Sequence, residues 1–188
     1  MPEYVEIEFA RGIPTGLNGK KRSPVELIKT LTEIAGRNGV GRIDVMENRF
    51  VGIKSREIYE APAAAVLHAA HNEIESLTME KELCHFKNAL SQKYAELVYN
   101  GYWFTIFREA LDGFVNKTQE FVSGKISMKL FKGNCIVAGR SSPYSLYDMR
   151  LSTYTKEDVF DHKASKGFID IAGLPLYMEG KRKKQNTR

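Results

Sequence analysis

The sequence predicts an α+β fold, in which a mixed or antiparallel sheet with hairpins packs against several long helices and an extended C-terminal tail follows. Three observations support this prediction. Apolar and polar residues alternate near the start of the chain and again beyond Gly124, which is typical of strands. Four intervening segments carry apolar residues at helical spacing. Asn-Gly and Gly-Asn pairs stand where tight turns would join strands.

The first strand is expected at residues 4–9, and a hairpin turn is expected soon after it. The pair Asn18-Gly19 predicts a type I′ turn, because both residue types tolerate positive φ. The same region superficially resembles a phosphate-binding loop. Pro14 replaces the first glycine of that motif and Lys21 replaces its last Ser or Thr, so we predict a turn and no phosphate site.

Helix starts and stops are clear over the next hundred residues. Ser23-Pro-Val-Glu26 has the pattern of a capping box and predicts a helix that ends near Gly36. A second helix is expected after Pro62, a third between a Thr78 cap and Gly101, and a fourth over residues 103–122. Their apolar stripes predict core or helix–helix contacts, with a subunit interface as the alternative. In the fourth helix we expect five inward-facing residues: Phe107, Leu111, Phe114, Val115 and Thr118.

The last regular element predicted is a hairpin beyond Gly124, with its turn at Gly133-Asn134. From residue 151 the pattern weakens. We therefore divide the chain into a domain at residues 1–150 and a tail at residues 151–188, whose polar end (181–188) is expected to be frayed and disordered.

Composition narrows the class of protein. The chain has 188 residues, of which 43% are hydrophobic and 27% are charged, as in a folded domain with its own core. No apolar run approaches the length of a membrane span, and the acidic start does not match a signal peptide. Cys84 and Cys135 give no disulfide framework. We expect a cytoplasmic protein without a membrane partner.

The most informative segment runs from Gly41 to Pro62 and alternates charged with apolar side chains. We expect it to lie half inside the protein, so that some of its charges are partly desolvated and need partners. Two interpretations stay open from this pattern. The charges form an internal salt-bridge network, with Arg42, Arg49 or Arg56 as the partner of Glu47, or they bind a polar ligand.

The residue pattern of this segment is Gly-Arg-Ile-Asp-x-x-Glu-Asn-Arg-x-x-Gly-x-Lys-Ser-Arg-x-x-Tyr-Glu-x-Pro. It closely resembles the signature of argininosuccinate synthases, in the half that follows their nucleotide-binding domain. The resemblance extends to about Gly173, and ordered blocks at consistent spacing are more specific than one motif. The other blocks are Glu3-Tyr-Val-Glu-Ile-Glu-Phe9, Asn18-Gly-Lys20, Ser23-Pro-Val-Glu-Leu27, Lys93-Tyr-Ala-Glu-Leu-Val-Tyr99 and Gly139-Arg-Ser-Ser-Pro-Tyr-Ser-Leu-Tyr147.

The resemblance implies that Glu47 and Tyr59 contact citrulline, because both match the family's motifs residue by residue. A carboxylate can pair with the α-ammonium of citrulline, and a phenol adds a directional donor and an apolar wall. Their task would be to hold the ureido oxygen in line with the α-phosphate of ATP. No residue of this chain is assigned to catalytic chemistry. The expected supporting residues are Arg49, Lys54, Ser55 and Arg56.

The resemblance also implies a reaction and partners. ATP, with Mg²⁺, would drive the condensation of citrulline and aspartate to argininosuccinate, releasing AMP and pyrophosphate through a citrulline adenylate. The enzyme would be a homotetramer in which the tail reaches neighbouring subunits. The family's N-terminal nucleotide-binding half, with its Ser-Gly-Gly-Leu-Asp-Thr-Ser loop, has no counterpart here. We therefore expect the chain to need that half and to be inactive alone.

Other classes of function have weaker support. A non-catalytic assembly or amino-acid-sensing module stays open as the alternative. Nucleic-acid binding rests only on the net charge of +5, and Lys181-Arg-Lys-Lys184 supplies four of those charges without interleaved aromatics, so we expect no nucleic-acid partner. His68 and His71 share a helical face, but zinc needs three or four converging ligands, so no metal site is predicted.

Overall fold

The computed structural model describes residues 1–152, 159 and 161–185, and it divides into two compact units that are treated separately below. The first unit is Met1–Tyr147 and the second begins at Asp148. In chain order, the elements of the first unit are β1 (Glu3–Ala10), β2 (Ile13–Leu17), β3 (Lys20–Lys21), α1 (Pro24–Arg37), β4 (Arg42–Asn48), β5 (Lys54–Glu60), α2 (Pro62–Thr78), α3 (Lys81–Tyr99), α4 (Ile106–Thr118), β6 (Gly124–Phe131) and β7 (Asn134–Ser141).

The main sheet has five antiparallel strands in the order β3-β2-β1-β6-β7. Its central strands, β1 and β6, bury every second side chain, as the period of two predicts. Helices α1 and α2 cover that face and bury their own apolar stripes against it. Each fully buried Leu or Ile contributes about 1.5–3 kcal/mol of hydrophobic stabilisation. The buried residues of the two strands are Val5, Ile7, Phe9, Ile126, Met128 and Leu130. The predicted α+β class with hairpins and long helices is confirmed.

Both predicted hairpin turns form, one of them a residue away from its expected place. Asn18 and Gly19 have φ of 52° and 73°, and the Asn18 side chain accepts a hydrogen bond from the Glu6 N–H at 2.8 Å. The second turn is formed by Lys132 and Gly133, with φ of 47° and 83°, and not by Gly133-Asn134. Pairing of Phe131 with Asn134 fixes the two-residue loop between them.

The capping box of α1 is confirmed, because Ser23 and Glu26 bond each other's backbone N–H groups. The predicted cap of α3 is wrong. Thr78 is the last residue of α2, and its hydroxyl donates to the Ile74 carbonyl at 2.7 Å. The cap of α3 is Glu80, whose carboxylate accepts from the first backbone N–H groups of the helix at 2.8 and 2.5 Å.

Helices α3 and α4 pack on each other and bury less than their stripes predict. Helix α4 begins at Ile106 after the Thr105 cap and is shorter than the expected 103–122. Of its five predicted inward residues, Leu111 and Thr118 are buried, Phe114 and Val115 are intermediate, and Phe107 is exposed. In α3 the only buried residue is Leu97. Apolar spacing predicts a face but not the chain that covers it.

The second unit contains α5 (Met149–Ser152) and α6 (His162–Gln185). The weak pattern predicted no helix here, yet α6 runs for 24 residues, with Pro175 inside it, and buries none of them. Residues 181–185, expected to be frayed, are helical, and residues 186–188 lie outside the described part. The apolar residues of α6 lie on all sides of the helix instead of forming one stripe, so the sequence shows no helical period in this segment. No helix of the described residues is long and apolar enough to cross a membrane.

Candidate functional site

The signature segment forms a separate two-stranded sheet, β4–β5, with seven residue pairs from Arg42–Glu60 to Asn48–Lys54. Gly41 fixes its base. This residue has φ of 90°, and a Cβ added there would lie 2.4 Å from the Pro62 Cα, so only glycine fits. The Ala61 N–H donates to the Gly41 carbonyl at 2.8 Å, which joins the base of the hairpin to the start of α2.

The expected half-burial of this segment is wrong for most of its residues. No residue of β4 or β5 is buried, because in the described chain the hairpin pairs with no third strand. Only one face is partly covered, at Val45, Glu47, Ser55 and Glu57. The apolar side chains of the segment are 44–73% exposed: Ile43, Met46, Phe50, Val51, Ile53 and Ile58. An isolated two-stranded hairpin is marginally stable at best. Its exposed apolar side chains form a surface that is available to a partner.

Part of the charge forms the internal network that the sequence left open. On one face, Arg56 binds Asp44 through both carboxylate oxygens at 2.5–3.2 Å, and this hydrogen bonding lowers the pKa of Asp44. Arg49 binds Glu57 at 3.0 Å on the other face. All four side chains are substantially solvent-exposed, so these pairs contribute little stability.

Glu47 is bound differently, by two phenols. The Tyr59 hydroxyl donates to Glu47 Oε1 at 2.5 Å, and the Tyr99 hydroxyl donates to Oε2 at 3.2 Å. Tyr59 comes from the neighbouring strand of the hairpin, whereas Tyr99 is the last residue of α3. The structure therefore brings together the two residues predicted to contact citrulline and adds a third that sequence reasoning missed.

The carboxylate shifts the titration of both phenols. Its hydrogen bond raises the pKa of Tyr59 to about 12, with partial desolvation as the next cause. The pKa of Tyr99 is raised first by desolvation and then by the bond to Glu47. A phenol with its ordinary pKa near 10 is already a protonated donor at neutral pH, and these upward shifts extend that state to higher pH. Glu47 presents a carboxylate whose two oxygens are each oriented by one donor.

The predicted supporting residues separate onto two faces of the hairpin. Ser55 lies directly across from Glu47, and Arg49 donates to its hydroxyl at 3.2 Å. Lys54 and Arg56 lie on the opposite face, where Lys54 donates to Asn48 at 2.8 Å. Arg49 and Ser55 therefore lie on the same side of the hairpin as Glu47, and Lys54 and Arg56 lie on the other side.

An open groove of about 610 Å³ lies beside the Glu47 site, between the hairpin turn and the end of α3. Charged and amide groups line it together with aromatic side chains, so it can accept a small polar molecule. Its lining residues are Asn48, Arg49, Phe50, Ala95, Glu96, Tyr99 and Asn100. In the sequence, the only indication that α3 contributes to this site is the block 93–99, which ends at Tyr99.

A second polar cluster lies between α2, α3 and α4. Glu75 is 1% exposed and accepts hydrogen bonds from Lys87 and Gln119, each at 2.7 Å. His71 lies 3.0 Å from the Gln119 amide oxygen and 3.6 Å from Glu75, and burial lowers its pKa. Every polar group of this cluster is satisfied internally, which is typical of a structural network.

Comparison with known proteins gives the class of this chain. Residues 1–179 match the family model described as "Arginosuccinate synthase C-terminal domain". The molecule is thus a C-terminal synthase domain, as the signature segment and its neighbouring blocks indicated. The chain belongs to the argininosuccinate synthase family.

Curated relatives agree. The chain is 62% identical to the argininosuccinate synthase of Symbiobacterium thermophilum over 93% of its length and 43% of the relative's. It is 56% identical to that of Acaryochloris marina over 93% of its length and 44% of the relative's. It is 55% identical to that of Bacillus mycoides over 97% of its length and 46% of the relative's. The chain thus spans less than half the length of the curated relatives it matches.

Proposed function

We propose that this chain is the part of a cytoplasmic argininosuccinate synthase that holds citrulline. The complete enzyme would condense citrulline with aspartate, using ATP and releasing AMP and pyrophosphate. The observation that carries the proposal is the Glu47 carboxylate, bound by Tyr59 and Tyr99 at the edge of an open groove. Family membership and the names of the relatives support the activity.

The chemistry of the site suits the α-carbon end of citrulline. A carboxylate has about four lone-pair sites, and the two phenols use one on each oxygen of Glu47. The remaining sites can accept charge-assisted hydrogen bonds from an α-ammonium group. The neutral ureido tail would then extend along the groove toward the nucleotide. This chain contributes positioning of the ureido oxygen, and no bond is made or broken by its side chains.

ATP and its Mg²⁺ are assigned to another part of the enzyme. In the described ranges of this chain, no group of three or more His, Cys, Asp or Glu residues is arranged to hold a metal ion. Because Mg²⁺ is usually held by the phosphates of the nucleotide with one or two carboxylates, we place it with ATP. An N-terminal nucleotide-binding half would supply the phosphate contacts and the aspartate site, and this chain alone would give no turnover.

The proposed homotetramer rests on α6. Seven of its apolar side chains are 56–74% exposed: Phe168, Ile169, Ile171, Leu174, Leu176, Tyr177 and Met178. They lie all round the helix, which is typical of a helix enclosed by other chains. Leu174→Glu with Leu176→Glu in the complete protein should reduce the tetramer in analytical ultracentrifugation, and Lys166→Glu with Asp170→Lys on the same helix should leave it unchanged. A tetramer that survives the first pair would exclude this role for α6.

Citrulline-dependent pyrophosphate release by the complete gene product tests the function. Glu47→Gln keeps the shape of the side chain and removes its charge, so we expect the citrulline KM to rise at least about tenfold. Asp44→Asn is the matched control, because it removes one charge from the opposite face of the same strand. The KM for ATP should not change in either variant.

Each other outcome has a distinct meaning. Citrulline-dependent release that Glu47→Gln leaves unchanged would retain the enzyme and reject the site. No citrulline-dependent release at all would favour the alternative, an assembly or amino-acid-sensing module. Binding of citrulline, measured by calorimetry, would then separate a sensor from a scaffold.

A further inference from the structure

We infer that Tyr99 is a positioning residue for the substrate amino acid, acting through Glu47. The inference rests on the proposed function of the hairpin. Tyr99 is 52 residues away from Glu47 in sequence and belongs to α3, yet its hydroxyl is 3.2 Å from Glu47 Oε2. Outside the hairpin, no other residue of the described chain donates a hydrogen bond to this carboxylate.

The end of α3 is built to place this phenol. The helix ends at Tyr99, the Asn100 N–H caps it by donating to the Glu96 carbonyl at 2.9 Å, and Gly101 turns the chain away with φ of 79°. The last turn of the helix consequently faces the hairpin turn across the groove. Tyr99 forms both part of the groove wall and one of the two hydrogen bonds to the carboxylate.

Two donors on separate oxygens do what one donor cannot. The bond from Tyr59 to Oε1 is a single restraint, about which the carboxylate can still pivot through the other torsions of the Glu47 side chain. The bond from Tyr99 to Oε2 fixes the plane of the carboxylate. A fixed plane directs the remaining lone pairs toward the groove, where an α-ammonium group would bind, and reduces the ordering cost of binding.

Steady-state kinetics of the complete protein tests this role with a matched pair of variants. Tyr99→Phe removes one hydroxyl and should raise the citrulline KM about threefold to tenfold, the effect of one hydrogen bond at an exposed site. Tyr94→Phe is the control. It lies on the same helix and also removes a phenol bound to a carboxylate, that of Asp112 at 2.6 Å, away from the hairpin. Its citrulline KM should equal that of the wild type.

A double-variant cycle separates positioning from a general structural effect. If Tyr99 acts through Glu47, Tyr99→Phe should add nothing to the KM of Glu47→Gln, whereas fully additive effects would overturn the inference. An unchanged KM in Tyr99→Phe, with a raised KM in Glu47→Gln, would also overturn it and leave the proposed function intact. An unchanged KM in Glu47→Gln rejects the proposed Glu47 site and this inference together, whereas the activity itself is rejected only if no citrulline-dependent release occurs. Equal melting temperatures of Tyr99→Phe and the wild type show that folding is not the cause.

Discussion

The buried carboxylate of Glu75 allows the cost of removing one charge to be worked out. Glu75 is 1% exposed, and the Lys87 side chain that binds it at 2.7 Å is 13% exposed. Lys87→Met keeps most of the alkyl volume and removes the ammonium group. The carboxylate then retains the Gln119 amide as its donor and has lost its cation.

Breaking a buried ion pair in this way costs about 3–5 kcal/mol, because a buried charge is left uncompensated. The lower end applies here, since Gln119 still donates and a cleft of about 490 Å³ beside Lys87 admits water. We therefore expect about 3 kcal/mol. For a chain of this size that corresponds to a fall in Tm of roughly 6–12 °C.

Urea unfolding followed by circular dichroism measures this loss, with two controls. Lys93→Met removes an exposed pair with Glu96 on the same helix and should cost below about 0.5 kcal/mol. The double variant Lys87→Met with Glu75→Gln removes both charges and should recover a large part of the loss. If Lys87→Met costs no more than Lys93→Met, the carboxylate is not dependent on its cation and the reasoning fails.

Three further predictions concern titration and backbone strain. Burial lowers the pKa of His71, so the folded state binds its proton more weakly than the unfolded chain does. The contribution of His71 to the free energy of unfolding is therefore fully present above the unfolded pKa of about 6.5 and is lost as the pH drops below it. His71→Gln should flatten this dependence in urea midpoints at pH 5 and 7.5. Glu47→Gln should return the pKa of Tyr59 from about 12 toward 10, read as a difference spectrum against Tyr59→Phe. Gly41→Ala should speed amide exchange in the hairpin, since the new Cβ meets Pro62, and unchanged exchange would exclude strain there.

Local chemistry decided which elements could be predicted from the sequence. The capping box of α1, the Asn18-Gly19 turn and the alternation of β1 and β6 are short-range patterns, and all three form as expected. The Thr78 cap failed because a Glu two residues later competes for the same orphan N–H groups. Short-range patterns of this kind do not show which residue, far away in the sequence, will contact a given side chain.

The contacts that could not be predicted from the sequence join residues that are far apart in the chain. The bond from Tyr99 to Glu47 joins α3 to a hairpin, and the pair Glu75–Lys87 joins two helices, so neither is visible as a local spacing. The apolar residues of the signature were expected to be half-buried, and most of them are exposed in the described chain. Hydrophobicity predicts that a side chain will be buried, but it does not specify which element or chain covers it.

The distribution of burial separates stability from the proposed function. The core that β1, β6, α1 and α2 share contains no residue of β4 or β5, so the hairpin contributes little to the free energy of unfolding. Substitutions of Glu47 or Tyr59 should therefore leave the free energy of unfolding within about 0.5 kcal/mol of the wild type, as expected for surface positions. Loss of citrulline affinity in these variants would then report on the site and not on folding. A large loss of stability in Glu47→Gln would contradict this separation, because it would require the hairpin to be part of the core.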